Sequence, residues 1–363
     1  MSVMMQKRNL PDFDIIVLGG GISGLMASSA LKSLDKKILL VDKRKDVFDF
    51  VDYYVYYLSE IPTIPFPGNI QYVHHEGKRA VWHSGKLYNT VLPSLSNFYS
   101  LKCYGKLCIT NADNVIGTFP LNIPYSSNQK DKKTKNFLVK TFMDDLEKYP
   151  KFHKSFGNEV IKIDLKNKML EFKNGEKISY GSLISTIPLP VFLKLTKEDE
   201  LHDKVMSRFK PNWTECSTFY SCSVVLEKPS NLYQAIFNAE KDCNITRTFL
   251  VNDTLFIETL NKNNSFPSLS EDDIIFLKQV GYENLIEDIL KTDFKLVQPG
   301  KFFPLEKSFR KHLFRFFSVY HDIYFLGRYG TWSYKLTPMV WDDSFYIKDM
   351  IEFKDLGNVL FGG

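Results

Sequence analysis

The sequence predicts an α/β fold that opens on a βαβ unit, and three observations predict it. An apolar run, Ile15–Leu18, meets a glycine-rich turn, Gly19-Gly20-Gly21-Ile22-Ser23-Gly24, without a break. Helical spacing of apolar residues follows. A second apolar run, Ile38–Val41, then ends in an acid, Asp42. Both runs lack the alternation of a half-exposed strand, so they read as strands buried on both faces. Between them Leu25, Ala30, Leu31 and Leu34 recur at helical spacing, with the small residues Ala27, Ser28 and Ser29 on the same segment. Asp35-Lys36-Lys37 ends that helix.

Gly19, Gly21 and Gly24 fit the pattern G-x-G-x-x-G. The first glycine permits a tight turn, the second lets backbone approach a pyrophosphate, and the third lets the helix pack closely on the strand. The helix N-terminus adds free N–H groups and the positive end of its dipole. Asp42 closes the second strand, where a carboxylate can accept hydrogen bonds from both hydroxyls of a ribose. Strand, turn, helix and acid together predict a dinucleotide site. Asp42 by itself leans towards NAD, because flavoenzymes more often carry Glu there.

Further along, Val47–Val81 is rich in Tyr and Pro and supports no helix, and Ser126–Lys135 reads as an exposed polar loop. Phe137–Tyr149 has amphipathic helical spacing. Val160–Ile163, Met169–Phe172 and Lys177–Tyr180 read as a meander, the last two joined by the turn Lys173-Asn174-Gly175-Glu176. Leu183–Thr186 reads as a separate buried strand stopped by Pro188 and Pro190. Cys216–Leu226 and Thr254–Leu260 predict strands of a second sheet, and Asp272–Lys278 and Tyr282–Leu290 predict helices. Ile323–Leu326 predicts a strand running into Gly327-Arg328-Tyr329-Gly330, and Asp342 or Asp343 is expected to cap a final helix through Ile351.

Composition excludes several classes. With 44% hydrophobic and 25% charged residues the chain is neither disordered nor fibrous. The net charge of +5 is small and dispersed, so nucleic acid is not indicated. Cys103, Cys108, Cys216, Cys222 and Cys243 are odd in number and lack zinc-type spacing, which predicts reduced thiols and no metal. No apolar stretch is long enough to span a bilayer, and Met1–Pro11 lacks the apolar core of a signal peptide. A cytoplasmic protein acting on a small-molecule substrate is expected; the oligomeric state is not written in the sequence. No G-x-S-x-G and no Walker loop supports a hydrolase or an NTPase.

Three separated segments resemble the FAD-dependent superfamily that includes amine oxidases, protoporphyrinogen oxidases and UDP-galactopyranose mutases. Phe13–Leu25 is similar to its N-terminal fingerprint, and Glu159-Val160-Ile161-Lys162-Ile163 to the strand whose Val presents backbone to adenine. Ser179–Pro190 resembles its return strand, and Gly327–Tyr334 resembles the C-terminal flavin segment of the mutase-like branch. Two departures stand out. No Gly-Gly pair follows Asp42 within Arg44–Phe50, and Leu336 stands where the mutase pattern carries Asp.

The resemblance implies a GR2-type flavoprotein: a Rossmann-type FAD-binding domain built from residues 12–60, 151–192 and 311–363. Residues 61–150 then form a substrate or cap segment, and 193–310 an inserted α+β substrate domain. The FAD contacts implied are Gly19, Gly21, Ile22, Ser23, Gly24, Asp42, Lys43, Arg44, Val160, Thr186, Gly327 and Arg328. Candidates for catalysis are Tyr334 at the flavin face, Arg247 as a phosphate-binding arginine or a cross-strand partner of Glu258, and His75 from the group His74, His75 and His83. Lys102 is a further candidate, for a water at flavin N5. The expected reaction is hydride transfer from a small molecule, such as an amine, to flavin; the alternative is a non-redox mutase acting on a sugar nucleotide. A scaffold that has lost its chemistry and an NAD-linked dehydrogenase are the remaining readings.

Overall fold

A computed structural model describes residues 10–46, 58, 60–68, 70–89, 102–103, 117–125, 137–196, 219–227, 234–251, 253–260, 269–297, 300 and 305–361. In chain order it runs β1 (Phe13–Leu18), α1 (Ile22–Leu31), β2 (Ile38–Asp42), β3 (Gln71–His83), β4 (Lys86–Tyr88), β5 (Gly117–Tyr125), α2 (Phe137–Leu146) and β6 (Phe152–Phe156). Next come β7 (Val160–Asp164), β8 (Met169–Phe172), β9 (Lys177–Ser185), α3 (Leu189–Leu195), β10 (Phe219–Val225), β11 (Gln234–Asn238), β12 (Ile245–Val251) and β13 (Thr254–Leu260). The chain ends in α4 (Glu271–Gln279), α5 (Ile286–Lys291), β14 (Lys295–Val297), α6 (Lys307–His321), β15 (Ile323–Phe325), α7 (Gly327–Gly330) and α8 (Thr337–Phe361).

The first sheet is parallel in the order β6-β2-β1-β9-β15, with β8 added antiparallel to the first half of β9 and β7 antiparallel to β8. Its buried runs have two cores to fill. Ile15, Val17, Ile38 and Leu40 join one core with α1, α2 and α8. Ile16, Leu18, Leu39 and Val41 turn to the other face and pack with α3 and α6. Successive side chains of a strand point to opposite faces, so a strand covered on both sides must be apolar throughout. Phe142 of α2, fully buried, joins Phe66 and Trp341 through edge-on ring contacts at 5.5 and 5.2 Å.

The second sheet runs β14-β10-β13-β12-β11-β3-β4, with β5 paired to β3. Helices α4 and α5 cover one of its faces through Trp82, Ile236, Leu255, Ile257, Phe276 and Ile289. Asp273 in the first turn of α4 is buried and fully used. One carboxylate oxygen accepts from the backbone and hydroxyl of Ser270, the other from the Ile245 N–H and the Cys243 thiol. That capping box fastens α4 to the sheet. Burial and the neighbouring Asp273 push the Cys243 thiol well up, and burial raises Cys222 to about 12, so both stay protonated. Cys103, Cys222 and Cys243 are free thiols; Cys108 and Cys216 lie outside the described residues, as do Ser126–Lys135 and 47–57.

Two of the expected elements have different bounds. Lys177–Tyr180 and Leu183–Thr186 are one strand, β9, which leaves β8 and continues along β1. The final helix begins at Thr337 rather than at Asp342 or Asp343, because Pro338 sits in its first turn, where a missing N–H removes no helical bond. Its end also lies beyond Ile351, at Phe361. Replacing Phe142 by Ala should cost about 3–5 kcal/mol of unfolding free energy, read by urea denaturation, because it empties the junction of α2 and α8.

Candidate functional site

Every strand of the parallel order ends on the same edge, and that edge gathers most of the candidates. In register, Leu18 lies beside Val41 and Ser185, and Ser185 beside Phe325. The residues that follow these strands are therefore neighbours: Gly19–Gly24, Asp42–Arg44, Thr186 and Gly327–Arg328. The edge lies where β2 and β9 leave β1 on opposite sides, the position at which open α/β sheets bind ligands.

The turn is held by contacts that only glycine allows. Gly19 has φ +110°, and a Cβ there would lie 2.3 Å from Thr186 Oγ1. A Cβ on Gly24 would lie 1.8 Å from the Gly19 carbonyl oxygen, so α1 rests directly on the turn. Gly21 is the opposite case: a Cβ there meets nothing within 4 Å. It is the N-cap of α1 and offers no side chain to the N–H groups of the first turn. Ile22 and Ser23 stand in that first turn, so their N–H groups and the helix dipole are available to an anion.

Thr186 closes the turn from the far side. Its backbone N–H donates to the Leu18 carbonyl at 2.9 Å, and its hydroxyl reaches the carbonyls of Leu18 and Gly19 at 3.1 Å. Gly327, at φ +81°, sits so close to Ser23 that a Cβ would lie 2.4 Å from its hydroxyl. That contact sets Arg328 at the same edge, its guanidinium 5.2 Å from the centre of the Tyr334 ring.

Asp42 is buried at the end of β2. Its Oδ2 accepts from the Gly20 N–H at 2.6 Å and from Arg44 Nη2 at 2.7 Å. Its Oδ1 accepts from the Arg44 backbone and Nε at 2.8 and 2.9 Å. Burial pushes this carboxyl up, but the hydrogen bonds and charge of Arg44, with the Gly20 N–H, outweigh it and hold the group below the ordinary aspartate range. Four bonds fill the acceptor capacity of a carboxylate. A ribose hydroxyl would therefore be accepted in exchange for a contact to Arg44, a constraint the sequence reading lacked. Lys43 points to solvent. Val160 opens β7 just after Gly157, whose N–H donates to the Arg44 carbonyl at 2.8 Å. Gly20 and Gly157 join the site only through these backbone contacts; the turn-like Phe156-Gly157-Asn158 is the sequence signal for the second.

The remaining candidates lie on the second sheet. Arg247 faces Glu258 across β12 and β13 and bonds it at 2.6 Å, and its guanidinium lies 5.7 Å from the Phe237 ring. The cross-strand pairing is thus the one formed. His75 sits within β3 opposite Leu121 of β5, and its neighbour His74 turns to the other face. His83 lies 3.6 Å from Glu240. Lys102 donates to the Ile245 carbonyl of the second sheet at 2.7 Å, which uses one of its three donors. Among the described residues no group of three His, Cys, Asp or Glu could hold a metal, and no helix is long and apolar enough to cross a membrane.

No protein-family model matches the chain, and no curated protein matches it by sequence. Solved structures do match in fold. One is reduced UDP-galactopyranose mutase, with TM-score 0.61 and 14% identity over 98% of this chain and 96% of that one. Another is the CLA-producing fatty acid isomerase from P. acnes, with TM-score 0.52 and 9% identity over 95% and 99%. A third is the tetrameric form of 2-methyl-3-hydroxypyridine-5-carboxylic acid oxygenase, with TM-score 0.51 and 12% identity over 94% and 86%.

The depressed Asp42 carboxyl has a consequence for stability. Its contribution is present above the pKa of an unfolded aspartate and is lost as pH falls towards the native value. Melting temperatures of wild type and Asp42→Asn should therefore differ at neutral pH and converge under acid; a constant gap across the titration would contradict the assignment.

Proposed function

We propose that the chain is an FAD-dependent flavoenzyme, its cofactor held at the carboxyl edge of the parallel sheet. The observation that carries the reading is the open, uncapped N-terminus of α1 above Gly21, ringed by Thr186, Asp42 and Arg328. Such a cradle fits a pyrophosphate. The resemblance of Gly327–Tyr334 to a flavin segment favours FAD over NAD, against the lean of Asp42 alone. The fold likeness to a mutase, an isomerase and an oxygenase supports a nucleotide half drawn from residues 12–60, 151–192 and 311–363, with 61–150 and 193–310 on the substrate side.

Bound FAD would supply two-electron chemistry at its isoalloxazine ring, which suits oxidation of a small molecule, an amine among them, by hydride transfer. The chain's own residues have separate parts in this. The N–H groups of Ile22 and Ser23 bind the pyrophosphate, and Asp42 orients the ribose. Val160 offers backbone to the adenine. Arg328, steadied over Tyr334, balances negative charge at the ring. Tyr334, half-buried under Arg328, flanks the reacting face.

A second reading, a non-redox mutase on a sugar nucleotide, is favoured by the match to reduced UDP-galactopyranose mutase over nearly the whole chain. Leu336 and the neutralised Arg247 count against it, because a diphosphate calls for a cation with charge to give. Anaerobic assay of dithionite-reduced protein with a nucleotide sugar separates the two, since only the mutase turns over without consuming reductant.

Gly21→Val should purify without bound flavin yet melt close to flavin-stripped wild type, because the added Cβ enters the cradle and meets no protein atom within 4 Å. Gly24→Ala should instead lower the melting temperature. Full flavin content in Gly21→Val, read at visible wavelengths, would remove the cradle from the account. Arg328→Ala should shift the flavin reduction potential, and an unchanged potential and affinity would place that arginine outside the site.

A further inference from the structure

We propose that Trp332 is a positioning residue of the flavin site: its left-handed backbone, pinned by its buried indole, holds Arg328 and Tyr334 together. This role rests on the FAD reading above, since the pair acts on the reaction only where a flavin lies beside it. Helix α7 is a single turn, too short to hold itself. The chain that follows closes its end. The Thr331 N–H and hydroxyl both donate to the Gly327 carbonyl, at 2.9 and 2.8 Å, and the Ser333 N–H reaches back to the Arg328 carbonyl at 3.1 Å. The Thr331 and Ser333 hydroxyls meet at 2.7 Å.

A bond from Ser333 back to Arg328 needs a left-handed residue just before its donor, and glycine is the usual occupant because a Cβ is strained there. Here the residue is Trp332, at φ +47°. The other non-glycine residues with positive φ among those described are Asp35, Ser84, Lys168 and Asp322, all polar and none fully buried. A bulky, buried aromatic in this conformation is an outlier. A glycine would make the same turn without strain but would not enforce it.

Burial keeps the conformation in place. The indole is 1% exposed, in a core with Leu305, Leu313, Phe317 and Phe325. The Trp332 carbonyl accepts from the Leu305 N–H at 3.1 Å, so ring and backbone are fastened to the same core. The turn has no slack on its other side. A Cβ on Gly330 would lie 2.8 Å from the Ser185 carbonyl oxygen, and Gly327 is seated against Ser23. The reversal at Trp332 returns Tyr334 to Arg328, with the ring centre 5.2 Å from the guanidinium, and Lys335 then pairs with Asp343 of α8. Strain held by packing between two residues of one site is a form of preorganisation.

Reduction potentials of the flavin-loaded full chain test this, with Arg328→Ala as the reference. Trp332→Ala should shift the potential in the same direction as Arg328→Ala, and joining the two should add nothing further. Trp332→Gly leaves a similar cavity but accepts a left-handed backbone freely, so its potential should lie closer to wild type. Phe317→Leu, in the same core but outside the turn, should lower the melting temperature and leave the potential at the wild-type value. If the small variants do not fold, Trp332→Leu, which keeps an apolar side chain in the core, should still shift the potential in that direction. Equal shifts in Trp332→Ala and Trp332→Gly, or a matching shift in Phe317→Leu, would make Trp332 mere core filling and overturn the proposal. So would an additive double variant, an unmoved potential in Arg328→Ala, or a wild-type potential in folded Trp332→Ala or Trp332→Leu. A wild type that takes up no flavin would overturn the FAD reading itself, and this role with it.

Discussion

The seating of α1 on the turn that follows β1 is the constraint from which the rest of the molecule follows. A helix whose residue 24 touches the carbonyl of residue 19 can have no side chain there. That contact fixes the direction in which α1 leaves the sheet and so aims its first-turn N–H groups at the carboxyl edge. The neighbouring pieces are keyed to the same point. Thr186 bonds the end of β1, Gly327 fits against Ser23, and Asp42 accepts from Gly20. Segments far apart in sequence meet because the parallel strands end together.

The opening βαβ unit was legible in the sequence because each signal there is local. Buried parallel strands show as unbroken apolar runs, and the glycines record contacts within one turn. The same holds for Asp42 and for the pairing of Arg247 with Glu258, which alternation on two adjacent strands suggests. Other parts were not legible. Strand β3, QYVHHEGKRAVWH, has no clean alternation, since its first half lies in an exposed ribbon with β5 and only its end enters a core. Helix α6 is hard to read from sequence although Phe309, Leu313, Phe316 and Phe317 carry its period, because lysines and arginines interrupt its turns. The start of α8 lay in Thr337-Pro338, a stronger signal than the two aspartates inside the helix. Arg44 as the partner of Asp42 needed geometry, for spacing alone does not say whether an arginine faces a ligand or its neighbour.

The placement of charge separates the two halves of the molecule. On the second sheet Arg247 is met by Glu258, itself buried, and the cluster is close to neutral. At the carboxyl edge, Asp42 is matched by Arg44, and the uncapped terminus of α1 is a positive feature there. An anion is therefore better accommodated at that helix terminus than beside the Arg247–Glu258 pair.

The central claim is that this edge holds one molecule of FAD. Native mass spectrometry of the protein, purified from cells supplied with riboflavin, tests it most directly. The account predicts a folded species heavier than the chain by one FAD per subunit, with FAD released on denaturation. A folded species at the mass of the bare chain, unchanged after incubation with FAD, or one that carries a nicotinamide dinucleotide instead, would contradict it.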